Sequence, residues 1–189
     1  MYQIKVSEDG LRHSIFLFND LGESNEYYDL VSHFAELSTK HTVYLYIDST
    51  GGDFHTSIVI SNAIKLCRAK VNAIIMCRCY SGATAIVLAC DAVSVQQRAS
   101  FMIHNCRVWR KISGVYINEI EDWISTEIHI WHRFFQEVYV ESGFLDDDEA
   151  HDILYNGKEL YITTSDLIER LAKINLLCTS PLDCDIIDS

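Results

Sequence analysis

The chain has 189 residues, 49% of them hydrophobic, and a formal net charge of −12. That length and apolar content suit one compact domain with a substantial core. A surface this acidic, with a pI near 4.9, excludes nucleic acid and anionic lipid as principal partners, because a polyanion is repelled over most of it; uncharged or extended polypeptides are not excluded.

The opening segment MYQIKVSEDGLRHSIFLF carries no basic region followed by a sustained apolar run. No window approaches the ~20 apolar residues of a membrane helix, so the expectation is a soluble, unexported, cytoplasmic protein. SIFLF (14–18) reads as a buried strand, and in SNEYYDLVSHFAELS the residues Tyr27, Leu30, Val31 and Phe34 line one helical face. TVYLYID (42–48) alternates as a strand and runs into STGGD, a turn whose paired glycines permit positive φ and close backbone approach. HTSIVISNAIKLCR reads as a helix and VNAIIM (71–76) as a strand; a turn at Ser81 and the apolar helix ATAIVLAC follow. AVSV and SFMIH are short strands.

The longest helix is expected to begin near Gly114. Ile120, Trp123, Ile124, Trp131, Phe134, Phe135 and Val138 recur along it at a spacing of about 3.5 residues, a stripe too broad for a solvent-facing arm. It is expected to pack against something large, such as another subunit, and to end at Gly143. DDDEAHDIL opens a further helix with acids at its positive end. TTSDLIERLAKI reads as the last helix, capped by Thr164 or Ser165. Strands and helices alternate, so the class is α/β, with one domain over residues 1–177 and an acidic tail over 178–189 that is expected to fray.

The seven cysteines are odd in number and sit mostly in apolar stretches, where they serve as small buried hydrophobes in a reducing compartment. Cys77-Arg78-Cys79 alternates like a strand and lacks a second pair at zinc spacing, so no metal site is expected there. His129 and His132 are three apart on the long helix but have no evident partner carboxylate, and they read as helix-surface residues.

Ser81 has two readings. As a helix N-cap it would satisfy an orphan N–H; as a nucleophile it would lie beside the helix's unpaired N–H groups and positive end, which are suited to a developing oxyanion. Gly82 leaves the next peptide N–H unobstructed. A nucleophilic serine needs a base, and His104, closing the apolar strand SFMI, is the histidine best placed for that duty. The base needs an orienting acceptor, and the 27 acidic residues leave that choice open.

Three blocks in order, YLYIDSTGGD, CYSGATAIVLACDAV and ASFMIHN, resemble the glycine-turn, serine and histidine motifs of the proteolytic subunit of Clp protease. That subunit is a self-compartmentalised serine peptidase of the ClpP/crotonase superfamily. The spacing of 23 residues from Ser81 to His104 resembles its shorter, phage-encoded members, and the likeness runs from SIFLF to about Leu177. The resemblance implies a fold of stacked β-β-α spiral units with a protruding long handle helix. It also implies Ser81 as nucleophile, His104 as general base, the N–H groups of Gly52 and Gly82 as oxyanion hole, and no cofactor. GKELYITTSDLIE resembles the family's acidic segment, which puts Glu159 where aspartate is usual, with Asp152 as second choice.

Thr50 stands where the family commonly has proline, and Cys90 where it has glycine. The resemblance further implies polypeptide substrates, a homo-oligomeric ring of seven or fourteen subunits, and feeding by an AAA+ Clp unfoldase in the cytoplasm, or the host cytoplasm for a phage protein. NCRVWRKISGVYIN would pair with substrate backbone as an added strand. Two rival readings are a crotonase-like acyl-CoA enzyme on the same fold and an inactive ring-forming scaffold.

Overall fold

The computed structural model describes residues 2–107 and 116–178. They form two compact units: the chain up to Ile103 together with the segment from Leu160, and the segment His104–Glu159.

The first unit is built on β1 (Tyr2–Val6), β2 (Arg12–Phe18), β3 (Thr42–Ser49), β4 (Lys70–Tyr80), β5 (Ala92–Val95), β6 (Ser100–Ile103) and β7 (Leu160–Ile162). They make a seven-stranded sheet in the order β1-β2-β3-β4-β6-β7, with β5 also paired to β4. Helices α1 (Tyr28–Glu36), α2 (Phe54–Leu66) and α3 (Gly82–Leu88) carry the chain from β2 to β3, β3 to β4 and β4 to β5. Such crossovers are what parallel pairing requires, and β2, β3, β4 and β5 pair in parallel. Among the described residues only the outer pairs, β1 with β2 and β6 with β7, are antiparallel.

Alternation sets the layers. Along β2, His13, Ile15 and Leu17 are buried while Ser14 and Phe16 on the opposite face are half-exposed, so SIFLF is buried on one face rather than two. Tyr27, Leu30 and Phe34 pack inward as the helical spacing predicts; Val31 is half-exposed. The Asp53 carboxylate caps α2 by accepting from the Thr56 N–H at 2.7 Å.

β4 runs four residues beyond the expected VNAIIM strand. Residues 72–75 pair with β5 and residues 78–80 with β6, so one long strand serves two neighbours in succession. Between these halves the register with β3 slips, from Ile47 opposite Ile75 to Ser49 opposite Cys79. Arg78 fastens the slipped segment: its Nε and Nη2 donate to the two carboxylate oxygens of Asp48 at 2.8 and 3.1 Å. These bonds hold the Asp48 carboxyl below the usual carboxylate range.

The last helix of this unit, α6 (Thr164–Lys173), is capped by Thr163, whose hydroxyl accepts from the Asp166 N–H. The cap is thus one residue before the expected Thr164 or Ser165, because Thr164 turns its hydroxyl instead to the Ala99 carbonyl at 2.7 Å. Beyond α6 the chain returns to β5: the Cys178 N–H donates to the Val93 carbonyl at 2.8 Å. The rest of the expected tail, 179–189, lies outside the described residues.

The second unit contains α4 (Ile117–Phe135), a π-helical turn over Gln136–Val140, and α5 (Asp147–Asn156). Phe135, Tyr139, Phe144 and Ile153 form its buried centre. Ile124, Ile128 and Ile130, farther up α4, are exposed within the chain. Gly143, at φ 78°, turns the chain after the π segment, close to where the sequence placed the end of the helix. Asp146 caps α5 through the Glu149 N–H at 2.8 Å, ahead of the three acids in its first turn. The expected start of the long helix near Gly114 lies outside the described residues, as does most of NCRVWRKISGVYIN.

Cys79 and Cys90 are buried, and burial pushes both thiols well up from their ordinary values. Cys77 is exposed and Cys67 and Cys106 are half-buried, so the reading of cysteines as core hydrophobes holds for fewer of them than expected.

A histidine cluster gives this fold a pH dependence. His13 on β2 is buried with its Nδ1 3.1 Å from Nε2 of His33 on α1, and its ring centroid lies 5.2 Å from that of His41. Desolvation, followed by the neighbouring His33 and His41, lowers the His13 pKa; desolvation also lowers that of His33, against a smaller opposing effect of Glu36. The unfolded chain protonates His13 and His33 near pH ~6.5 while the folded chain resists. Stability is therefore complete above about pH 6.5, falls as the pH drops below it, and levels off once the folded rings also protonate. Thermal melts from about pH 7.5 to 5 should show Tm falling with acid, more shallowly for His13→Leu. A wild-type Tm flat across that range would contradict this.

Candidate active site

β4 ends at Tyr80 and α3 begins at Gly82, leaving Ser81 alone to make the turn. Its backbone has φ 52° and ψ −127°, a conformation that non-glycine residues rarely adopt. The turn is held from both sides: the Ser81 N–H donates to the Met102 carbonyl at 2.8 Å, and the Ser81 carbonyl accepts from the Thr84 N–H at 2.9 Å and the Thr84 hydroxyl at 2.6 Å. The Ser81 side chain makes no capping hydrogen bond. Of its two sequence readings, the cap is therefore the one the structure does not support. A strained serine between a strand and a helix, whose hydroxyl makes no capping bond, has the strand–turn–helix setting of a nucleophile elbow.

The glycine turn lies against this serine turn. Gly51 and Gly52 have φ 88° and 142°. A Cβ on Gly51 would stand 2.7 Å from the Ser81 Cβ and 2.9 Å from the Gly82 nitrogen, so only glycine permits the approach. Leu21 grips the outer side, donating to the Gly51 carbonyl at 2.6 Å and accepting from the Asp53 N–H at 3.0 Å. In such a parallel bridge the N–H of the intervening residue, Gly52, points away from Leu21. Gly82, as the first residue of α3, has an N–H without an intrahelical partner. The space for a Cβ on Gly82 is already taken by the Ser57 hydroxyl, which donates to the Asp53 carbonyl at 3.1 Å. Thr50 gives its hydroxyl to Asp20, a bond that a proline at this position could not make.

His104 and Glu159 belong to the other unit, whose first residue follows β6 directly. The chain therefore reaches His104 two residues after Met102, whose carbonyl holds Ser81. The Nδ1 of His104 lies 2.5 Å from the Asn105 carbonyl oxygen. A carbonyl only accepts, so Nδ1 carries the proton and the neutral ring keeps its lone pair on Nε2, the tautomer a base acting through Nε2 requires. Arg107 Nη2 donates to Glu159 Oε1 at 2.7 Å. Asp152, the second choice of acid, accepts from Lys158 at 2.5 Å and Asn156 at 2.7 Å, and these bonds lower its pKa. Both carboxylates are thus engaged by side chains of their own unit.

Sequence reasoning missed three contributors: Leu21, which holds the glycine turn from outside; Ser57, which enforces glycine at position 82; and Asn105. Leu21 and Ser57 carry no local signal because each acts through a partner distant in the sequence, and Asn105 acts on its neighbour through the main chain, which no side-chain pattern marks. Among the described residues no group of three or more His, Cys, Asp or Glu side chains is arranged to hold a metal ion. No described helix is long and apolar enough to cross a membrane.

Against known proteins, the model of the Clp protease family matches residues 10–142, well over half of the chain. No curated protein matches it. Among solved structures, a ClpP1 mutant from Listeria monocytogenes superposes with a TM-score of 0.68, over 89% of this chain and 92% of that one, at 14% sequence identity. A likeness at that identity is one of fold, and the α/β fold expected from the sequence is the one the two chains share. By the extent of the family match, this chain belongs to the Clp protease family.

Proposed function

We propose that the chain is a serine endopeptidase that cleaves unfolded or small polypeptides by acyl transfer. Ser81 is the nucleophile and His104 the general base. His104 Nε2 takes the hydroxyl proton as Ser81 Oγ attacks a peptide carbonyl, and the N–H groups of Gly52 and Gly82 receive the oxyanion. The imidazolium then protonates the leaving amine, and water, deprotonated by the same ring, releases the acyl group. Glu159 is the acid proposed to stabilise the imidazolium by its charge once released from Arg107, while the Asn105 carbonyl keeps the Nδ1 proton. The observation that carries this reading is the strained Ser81 turn, whose hydroxyl makes no capping bond, packed against a glycine turn whose Gly52 N–H points away from Leu21.

The exposed Ile124 and Ile128, one turn apart on α4, with Ile130 on another side of it, support assembly, since exposed apolar side chains of this kind are covered in a homo-oligomer. We place the chain in a ring of seven or fourteen copies, each one ClpP-like domain, fed by an AAA+ unfoldase and working without a cofactor. A second reading, a ring-forming subunit without activity, is favoured by the Arg107 ion pair that occupies Glu159.

Hydrolysis of an unfolded protein such as reduced casein by the purified chain tests the two readings, with particle mass measured in parallel. The expected result is hydrolysis that falls about 10⁴-fold or more in His104→Ala, from particles of seven or fourteen 21.7-kDa chains. Particles of that mass with no hydrolysis above the His104→Ala level would favour the scaffold.

A further inference from the structure

Asn105 makes three hydrogen bonds, each to a different part of the second unit. Its carbonyl oxygen accepts from His104 Nδ1 at 2.5 Å, its Oδ1 accepts from Trp131 Nε1 on α4 at 2.8 Å, and its Nδ2 donates to the Leu154 carbonyl on α5 at 2.9 Å. Chemistry fixes the orientation of this amide. An indole N–H only donates, so it must meet Oδ1, and a backbone carbonyl only accepts, so it must meet Nδ2. With both ends of the side chain held, the residue has one orientation available, and so has the peptide whose carbonyl faces the imidazole.

We propose that Asn105 is a positioning residue for His104: its side chain, clamped between Trp131 and Leu154, fixes the peptide carbonyl that selects the imidazole tautomer. The inference rests on His104 acting as the base through Nε2. A neutral imidazole has two tautomers, and only the one protonated at Nδ1 offers a lone pair at Nε2. A carboxylate commonly makes that selection. Here the two candidate carboxylates are engaged by Arg107 and by Lys158 with Asn156, while the acceptor at Nδ1 is a main-chain oxygen. The arrangement also ties the base to α4, because Trp131 is one of the two anchors. A change in the seating of α4 would reach His104 through one indole hydrogen bond and one peptide.

The test is steady-state hydrolysis of a fluorogenic peptide by the full chain, with kcat and KM resolved separately and particle mass checked for each variant. Asn105→Ala removes both clamps and is expected to lower kcat at least tenfold with KM within twofold of wild type. Trp131→Phe removes the indole N–H, together with part of the ring, and is expected to lower kcat several-fold, again at constant KM. A purely structural role would move KM or particle mass along with kcat.

If Asn105→Ala keeps a wild-type kcat, the inference fails while the catalytic reading stands. Should Asn105→Ala not assemble, Trp131→Phe decides: an unchanged kcat overturns the inference, and a several-fold loss at constant KM supports it. A wild-type chain that neither hydrolyses peptide nor is acylated at Ser81 overturns the catalytic reading, and the inference with it.

Discussion

Replacing Ser81 by alanine is expected to lower peptide hydrolysis by about 10⁴-fold or more, the loss that follows when a covalent nucleophile is removed and only transition-state binding remains. The fold should survive. The Ser81 hydroxyl makes no capping bond, and the bonds that shape the turn come from its main chain, to Met102 and Thr84. An alanine at φ 52° is strained, but so is the serine it replaces, so stability should change by less than about 1 kcal/mol. Thermal denaturation beside peptide hydrolysis checks both parts. If Ser81 were a helix cap instead, the variant would lose about 1 kcal/mol of stability and keep its activity.

Gly51→Ala should harm the protein in both respects. The added methyl would lie 2.6 Å from the Tyr80 carbonyl oxygen and 2.7 Å from the Ser81 Cβ, at a φ of 88°. Backbone strain and overlap together are expected to cost about 2–4 kcal/mol. Relief requires the glycine turn and the serine turn to separate, and a displacement of about 1 Å at reacting groups lowers rates roughly 100-fold. Gly10→Ala is the matched control: its φ is 75° but nothing lies within 4 Å of the added methyl. Strain alone then acts, about 1–2 kcal/mol, with activity at the wild-type level. Equal activity in Gly51→Ala and Gly10→Ala would show that the contact between the two turns does not matter to the reaction.

Much of this architecture is legible in the sequence because apolar spacing reports burial. Leu30 and Phe34 mark the inner face of α1 and Tyr27 the buried turn before it, and the alternation of TVYLYID gives β3. β1 escaped notice because YQIKV has no fully buried residue; it is recruited by antiparallel pairing with β2 rather than by its own hydrophobicity. The end of β4 was missed for a related reason. Arg78 interrupts the apolar run after Met76 and Cys77, although Cys77-Arg78-Cys79 alternates like a strand and β4 continues to Tyr80.

At the candidate site the residue types are legible and their geometry is not. A serine followed by a small residue after a strand points to a turn, yet nothing in CYSGA states that Ser81 adopts φ 52°. The reason lies elsewhere in the chain, in Met102, which holds its N–H, and in Gly51, which leaves it room. His104 stands out by its place at a strand end. The acceptor for its Nδ1 does not, because it is the main chain of the next residue and no side-chain pattern marks it.

The most direct measurement is to treat the assembled protein with a fluorophosphonate and locate the adduct by peptide mass spectrometry, in the wild type and in His104→Ala. One adduct per chain on Ser81, lost or strongly slowed without His104, is the expected result. An unmodified Ser81, or modification at the same rate without the histidine, would contradict its assignment as a base-activated nucleophile.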